Sequence, residues 1–117
     1  MYKRTLTIGL FDRQTKKQEI TTETAKEIIV NTLIEEFKIF AFTAWDCLGV
    51  YQMEDTGEIV REPSIRLEIA TDEELTNVKE IIAKLTDKLN QESIMMETAE
   101  DADIKFINNS IPLPEEP

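Results

Sequence analysis

The 117 residues are enough for one domain with its own core, and with 41% hydrophobic residues that core is expected to form without metal or disulfide support. Asp and Glu number 24 against 13 Lys and Arg, a net charge of −11, which argues against direct binding to nucleic acid or an anionic membrane, since both demand a basic surplus. There is no histidine and one cysteine, Cys47, so an internal disulfide and any Ser-His-Asp or Cys-His machinery within one chain are excluded.

The first predicted element is a strand over residues 5–10, where Thr5, Thr7 and Gly9 alternate with Leu6, Ile8 and Leu10. The stretch before it has no apolar run long enough for a signal peptide, and no segment approaches a membrane span, so a cytoplasmic protein is expected. Residues 12–22, DRQTKKQEITT, read as a polar loop. Thr21 or Thr22 then caps a helix whose apolar positions are Ala25, Ile28, Ile29, Leu33 and Phe37.

Residues 39–53 are rich in aromatic and β-branched types and predict a long strand. Asp55-Thr56-Gly57 is a turn signal, and residues 58–70 return, making 39–70 a hairpin. Within the returning strand Ile65, Leu67 and Ile69 alternate with Ser64, Arg66 and Glu68. Pro63 cannot donate to a ladder, so it is expected to open the strand or to mark a bulge. Thr71-Asp72-Glu73-Glu74 matches a capping box, and Leu75, Val78, Ile82, Leu85 and Leu89 follow at helical spacing. Asn90 is positioned to end that helix, residues 93–99 predict the last main strand, and 103–107 a short edge strand.

The order βαββαβ predicts an α+β, ferredoxin-like fold: a four-stranded antiparallel sheet with two helices on one face. Residues 1–107 form the expected single domain and 108–117 an extended, acidic, proline-containing tail. The second sheet face would carry Thr5, Thr7, Gly9, Ser64, Arg66 and Glu68, with Thr43, Trp45 and Cys47 if Phe40, Phe42 and Ala44 face the helices. A tryptophan on an uncovered sheet suggests a homodimer or higher homo-oligomer, or a ligand pocket.

Arg61-Glu62-Pro63-Ser64 stands out because a proline and two opposite charges precede a regular strand. Together with TAWDCLGVY and NQESIM it resembles a bacterial family of small ferredoxin-like domains of unknown function. The family pattern has a first-strand Gly, Asp-x-x-Gly-x-aromatic, Arg-Glu-Pro-Ser and Gln-Glu-Ser. Here these are Gly9, Asp46, Gly49, Tyr51, Arg61, Glu62, Pro63, Ser64, Gln91, Glu92 and Ser93, over roughly residues 4–97. Tyr51 stands where the pattern has Trp. The resemblance implies a fold and a set of positions, and no reaction.

The ligand-binding candidates are therefore Arg61, Glu62, Arg66, Trp45, Asp46, Tyr51, Gln91, Glu92 and Ser93. They would form either a hydrogen-bond network locking the hairpin to residues 91–93 or a polar pocket with Arg61 on an anionic ligand. No cofactor, metal site or catalytic residue is expected. The leading expectation is a non-enzymatic oligomeric binding protein that holds a small polar or nucleotide-like ligand on the open sheet face or at a subunit interface. Its first alternative is an acidic inhibitor of a basic protein partner, of the phage or mobile-element anti-defence type that mimics nucleic acid. The second is an enzyme working through carboxylates such as Glu62 and Glu92.

Overall fold

A computed structural model describes residues 2–71, 77–91 and 94–99. Four strands, β1 (Tyr2–Gly9), β2 (Thr43–Gln52), β3 (Ile59–Thr71) and β4 (Met95–Ala99), form one antiparallel sheet in the order β2-β3-β1-β4. Helix α1 (Thr22–Asn31) connects β1 to β2 and runs on into a π-helical turn, Thr32–Glu36. Helix α2 (Val78–Lys88) connects β3 to β4. The fold is thus α+β, with a four-stranded antiparallel sheet and two α-helices.

One apolar stripe from each element makes the core. Leu6 and Ile8 of β1 and Ile65, Leu67 and Ile69 of β3 meet Ala25, Ile29 and Leu33 of the first helical segment and Ile81, Leu85 and Leu89 from α2 and its C-cap. All are buried, and each branched side chain contributes about 1.5–3 kcal/mol on leaving water. The stripe of α2 runs through Ile81, while Ile82, the expected position, packs at its margin. Thr21 caps α1, its hydroxyl accepting from the Thr24 N–H at 3.1 Å. The expected capping box and Leu75, the 103–107 strand and the 108–117 tail lie largely or wholly outside the described residues.

The hairpin differs from expectation in two ways. Its first strand begins at Thr43, and Phe40 is exposed rather than turned to the helices. Its second strand begins at Ile59, four residues before Pro63, which pairs with Leu48 in an unbroken register. In an antiparallel strand the N and C=O of one residue point to the same neighbour. The Pro63 carbonyl accepts from Leu10 N–H at 3.0 Å, on the β1 side, just past the last β1–β3 pair, Gly9 and Ser64. The missing N–H therefore falls where the β1 ladder has ended, and pairing with β2 continues undisturbed.

Strand parity sorts the remaining side chains. Glu62, Ser64, Arg66 and Glu68 share the face without helices with Gly9, Thr7 and Thr5 and with Tyr51, Cys47 and Trp45. Arg61 has the opposite parity and is exposed on the hairpin beside Val50. Among the described residues no helix is long and apolar enough to cross a membrane.

Candidate functional site

Helix α2 ends in a left-handed residue, Asn90, at φ 50°. The Gln91 N–H returns to the Thr86 carbonyl at 2.9 Å and the Asn90 N–H to Asp87 at 3.2 Å, the paired bonds of a Schellman cap. This cap brings residues 90 and 91 against the segment that follows β1. Gln91 Nε2 donates to the Phe11 carbonyl at 2.7 Å, and Asn90 Nδ2 to Asp12 Oδ2 at 2.6 Å. From the other side Glu62 Oε2 accepts the Phe11 N–H at 2.8 Å. The backbone of Phe11 is thus held by Glu62 and Gln91 together, although these residues lie 51 and 80 positions away in sequence.

Two glycines make room for this arrangement. A Cβ on Gly9 would stand 2.5 Å from the carboxylate carbon of Glu62, closer than side chains tolerate. The Glu62 carboxylate therefore occupies the space over Gly9 that any other residue would fill. A Cβ on Gly49 would come within 3.3 Å of Ser64 Oγ, which donates to the Glu62 carbonyl at 3.0 Å.

A cleft of ≈ 510 Å³ opens at this end of the sheet, within the size range of small-molecule sites. Gly9, Glu62, Tyr51 and Gln91 line it together with Phe11, Asp12, Arg13 and Lys16 of the loop after β1, and Met53, Glu58 and Val60 of the hairpin. Burial, and then the adjacent Glu62 carboxylate to which it hydrogen-bonds, push the Tyr51 phenol up from its ordinary range. The phenol stays protonated and available as a donor. Asp12 is held below the usual carboxylate range, first by the Asn90 amide and then by the N–H groups of Gln14 and Thr15.

Of the nine sequence candidates, the cleft gathers Glu62, Tyr51 and Gln91. Arg66 instead spans the sheet, reaching Thr7 Oγ1 at 3.4 Å and Glu97 at 3.0 Å, with Trp45 opposite it on β2. Asp46 ties β2 to α1 through Lys26 at 2.9 Å. Arg61 points away from the cleft by strand parity and does not line it, so of the pair expected to lock the hairpin to residues 91–93 it is Glu62 that makes the link, through Phe11 to Gln91. Glu92 and Ser93 lie outside the described residues. Sequence reading missed Phe11, Asp12, Arg13 and Lys16. The available signal was that DRQTKK concentrates three of 13 basic residues in an acidic chain.

No family model and no curated protein matches the chain. Among solved structures it is similar to a phage SAM lyase in complex with S-methyl-5′-thioadenosine. That match has a TM-score of 0.61 and 22% identity, over 85% of this chain and 80% of that one. A phage SAM lyase in its apo state matches with a TM-score of 0.56 and 20% identity, over 84% and 78%. These likenesses establish a shared fold. They also correct the leading expectation of a non-enzymatic oligomeric binding protein, because both of these solved chains are enzymes.

Proposed function

We propose that this chain is a lyase acting on S-adenosylmethionine, with Glu62 as the carboxylate through which it works. The observation that carries this reading is the placement of Glu62: at the cleft, over Gly9, on the Phe11 N–H and beside the Tyr51 phenol. The choice of substrate class is supported by the fold shared with the phage SAM lyase structures. We also read the strand order β2-β3-β1-β4, with both helices on one core face, as the ferredoxin-like arrangement. The phage source of those structures fits an anti-defence role exercised by consuming a small molecule rather than through an acidic surface.

The chemistry suits a chain without histidine. When the bond between the sulfonium sulfur and Cγ breaks, its electron pair returns to sulfur and S-methyl-5′-thioadenosine departs as a neutral thioether. No acid is needed to protonate it. The remaining four-carbon unit is completed either by loss of a Cβ proton to a base or by closure of its own carboxylate on Cγ. Both routes balance without a redox partner. A carboxylate beside the sulfonium would favour the charged ground state over the charge-losing transition state. Glu62 therefore serves better on groups that keep their character through the step, the α-ammonium or the ribose hydroxyls, with Tyr51 and Phe11 N–H fixing its orientation.

The test is incubation of the purified chain with S-adenosylmethionine, following S-methyl-5′-thioadenosine by mass spectrometry. The thioether should accumulate, and Glu62→Gln should lower kcat/KM roughly ten- to a hundredfold, chiefly through KM, with the circular-dichroism spectrum retained. Absence of the thioether at every enzyme concentration would overturn the assignment.

A further inference from the structure

The cleft carries both signs of charge. Asp12, Glu58 and Glu62 line it, and so do Arg13 and Lys16 of the loop after β1. Among the described residues, neither the Arg13 guanidinium nor the Lys16 ammonium has an acidic partner within ion-pair distance. Two cations with no ion pair, one of them close enough to help hold the Asp12 carboxyl low, thus face one cleft in a chain of net charge −11.

The loop that presents them is fastened. Asp12 accepts the N–H groups of Gln14 at 2.8 Å and Thr15 at 3.1 Å. The Arg13 N–H donates to the Asn90 carbonyl at 3.0 Å, the Lys16 N–H to the Asp12 carbonyl at 2.8 Å, and Phe11 bridges Gln18. Lys16 holds φ 61°, a left-handed value that a lysine keeps where surrounding bonds impose it. The two cations are thus offered from a shaped turn.

Anionic and cationic groups around one cleft suit a zwitterion. In S-adenosylmethionine the amino-acid end is the zwitterionic part: its ammonium suits Glu62, and its carboxylate needs a cation. Resting on the lyase reading above, we infer that Arg13 and Lys16 are the specificity residues that hold the substrate's α-carboxylate, Arg13 through its planar fork and Lys16 as a point charge. The site then selects nucleosides that carry a free amino-acid carboxylate over those that lack one.

Two uncleaved probes separate this from the reaction itself. S-adenosylhomocysteine keeps the amino-acid end, whereas S-methyl-5′-thioadenosine has lost it. In calorimetric titrations, the double variant Arg13→Ala/Lys16→Ala should bind S-adenosylhomocysteine about ten- to a hundredfold more weakly than wild type, with S-methyl-5′-thioadenosine unchanged. Arg13→Gln/Lys16→Gln, which retains much of the side-chain bulk, should behave the same way. Equal loss for both probes would overturn the inference, because the loop would then shape the nucleoside pocket, and so would unchanged binding of S-adenosylhomocysteine. Failure of the lyase reading shows separately, as wild type that forms no thioether from S-adenosylmethionine.

Discussion

At Gly9 a missing side chain decides where a carboxylate can stand. A methyl group there would collide with the Glu62 carboxylate. Glu62 can swing aside, but the Phe11 N–H then loses its acceptor. Gly9→Ala is therefore expected to cost about 1–3 kcal/mol in urea denaturation and to lower kcat/KM as severely as Glu62→Gln. Full activity in Gly9→Ala would show that the carboxylate need not lie over this residue. At Gly49 the approaching atom is the Ser64 hydroxyl at 3.3 Å, which can rotate, so Gly49→Ala should be milder. Tyr51 reports on the same carboxylate. Its folded-state pKa is raised, first by burial and then by Glu62, so its contribution to stability is present below the unfolded phenol value near 10 and disappears as pH rises through the folded value. In Glu62→Gln the Tyr51 phenolate absorbance should titrate at lower pH than in wild type, with part of the elevation kept because burial remains. An unchanged titration would separate Tyr51 from Glu62.

At the scale of elements, the C-terminus of α2 does more than stop a helix. Its cap aims Asn90 and Gln91 at the loop after β1 and so builds one wall of the cleft. Asn90→Gly preserves the left-handed backbone but removes the amide that is the main cause of the low Asp12 pKa. The Asp12 carboxyl resonance should then titrate closer to the ordinary value of about 3.9. Because the folded pKa is depressed, its stabilising effect is present above the unfolded pKa and lost as pH falls through the folded value, and the variant should show less of this acid loss. An Asp12 titration like wild type would assign the shift to the loop backbone alone. Much at this scale was legible in the sequence: a threonine before the α1 stripe, an asparagine after the α2 stripe, and a glycine between alternating runs. The position of Pro63 was not, because a strand proline is tolerated on whichever side lacks a neighbour, and only the fold reveals which side that is. The opposite faces of Arg61 and Glu62 were implicit in the two-residue period, yet the charge pair drew attention as a unit. The contacts of Phe11 and Asp12 span 51 to 80 residues, so no local pattern announces them.

Across the whole molecule, the core was readable because alternation in β1 and β3 and helical spacing in α1 each name a buried face, and these faces agree in one cluster. The cleft was only half readable, since composition reports a net charge and conceals its distribution. A chain of −11 carries two basic residues into the cleft, and on the proposed lyase reading this arrangement sets a salt dependence. S-adenosylmethionine bears a sulfonium, an ammonium and a carboxylate, one net positive charge at pH 7. The acidic molecule as a whole should attract it, while Arg13 and Lys16, in the role inferred for them, should act at short range on its carboxylate end. Long-range attraction is screened beyond roughly 10 Å at 0.1 M salt, whereas short contacts inside a cleft are screened much less. For the wild-type chain, kcat/KM for S-adenosylmethionine should fall roughly two- to fivefold between low salt and about 0.5 M salt. The affinity for neutral S-methyl-5′-thioadenosine should stay nearly constant over the same range. Reversing several acidic residues far from the cleft should flatten the salt dependence without altering kcat. A parallel loss of thioether affinity would instead mean that salt acts on the fold, and a rise of kcat/KM with salt would mean that the substrate meets the basic loop before it feels the acidic body.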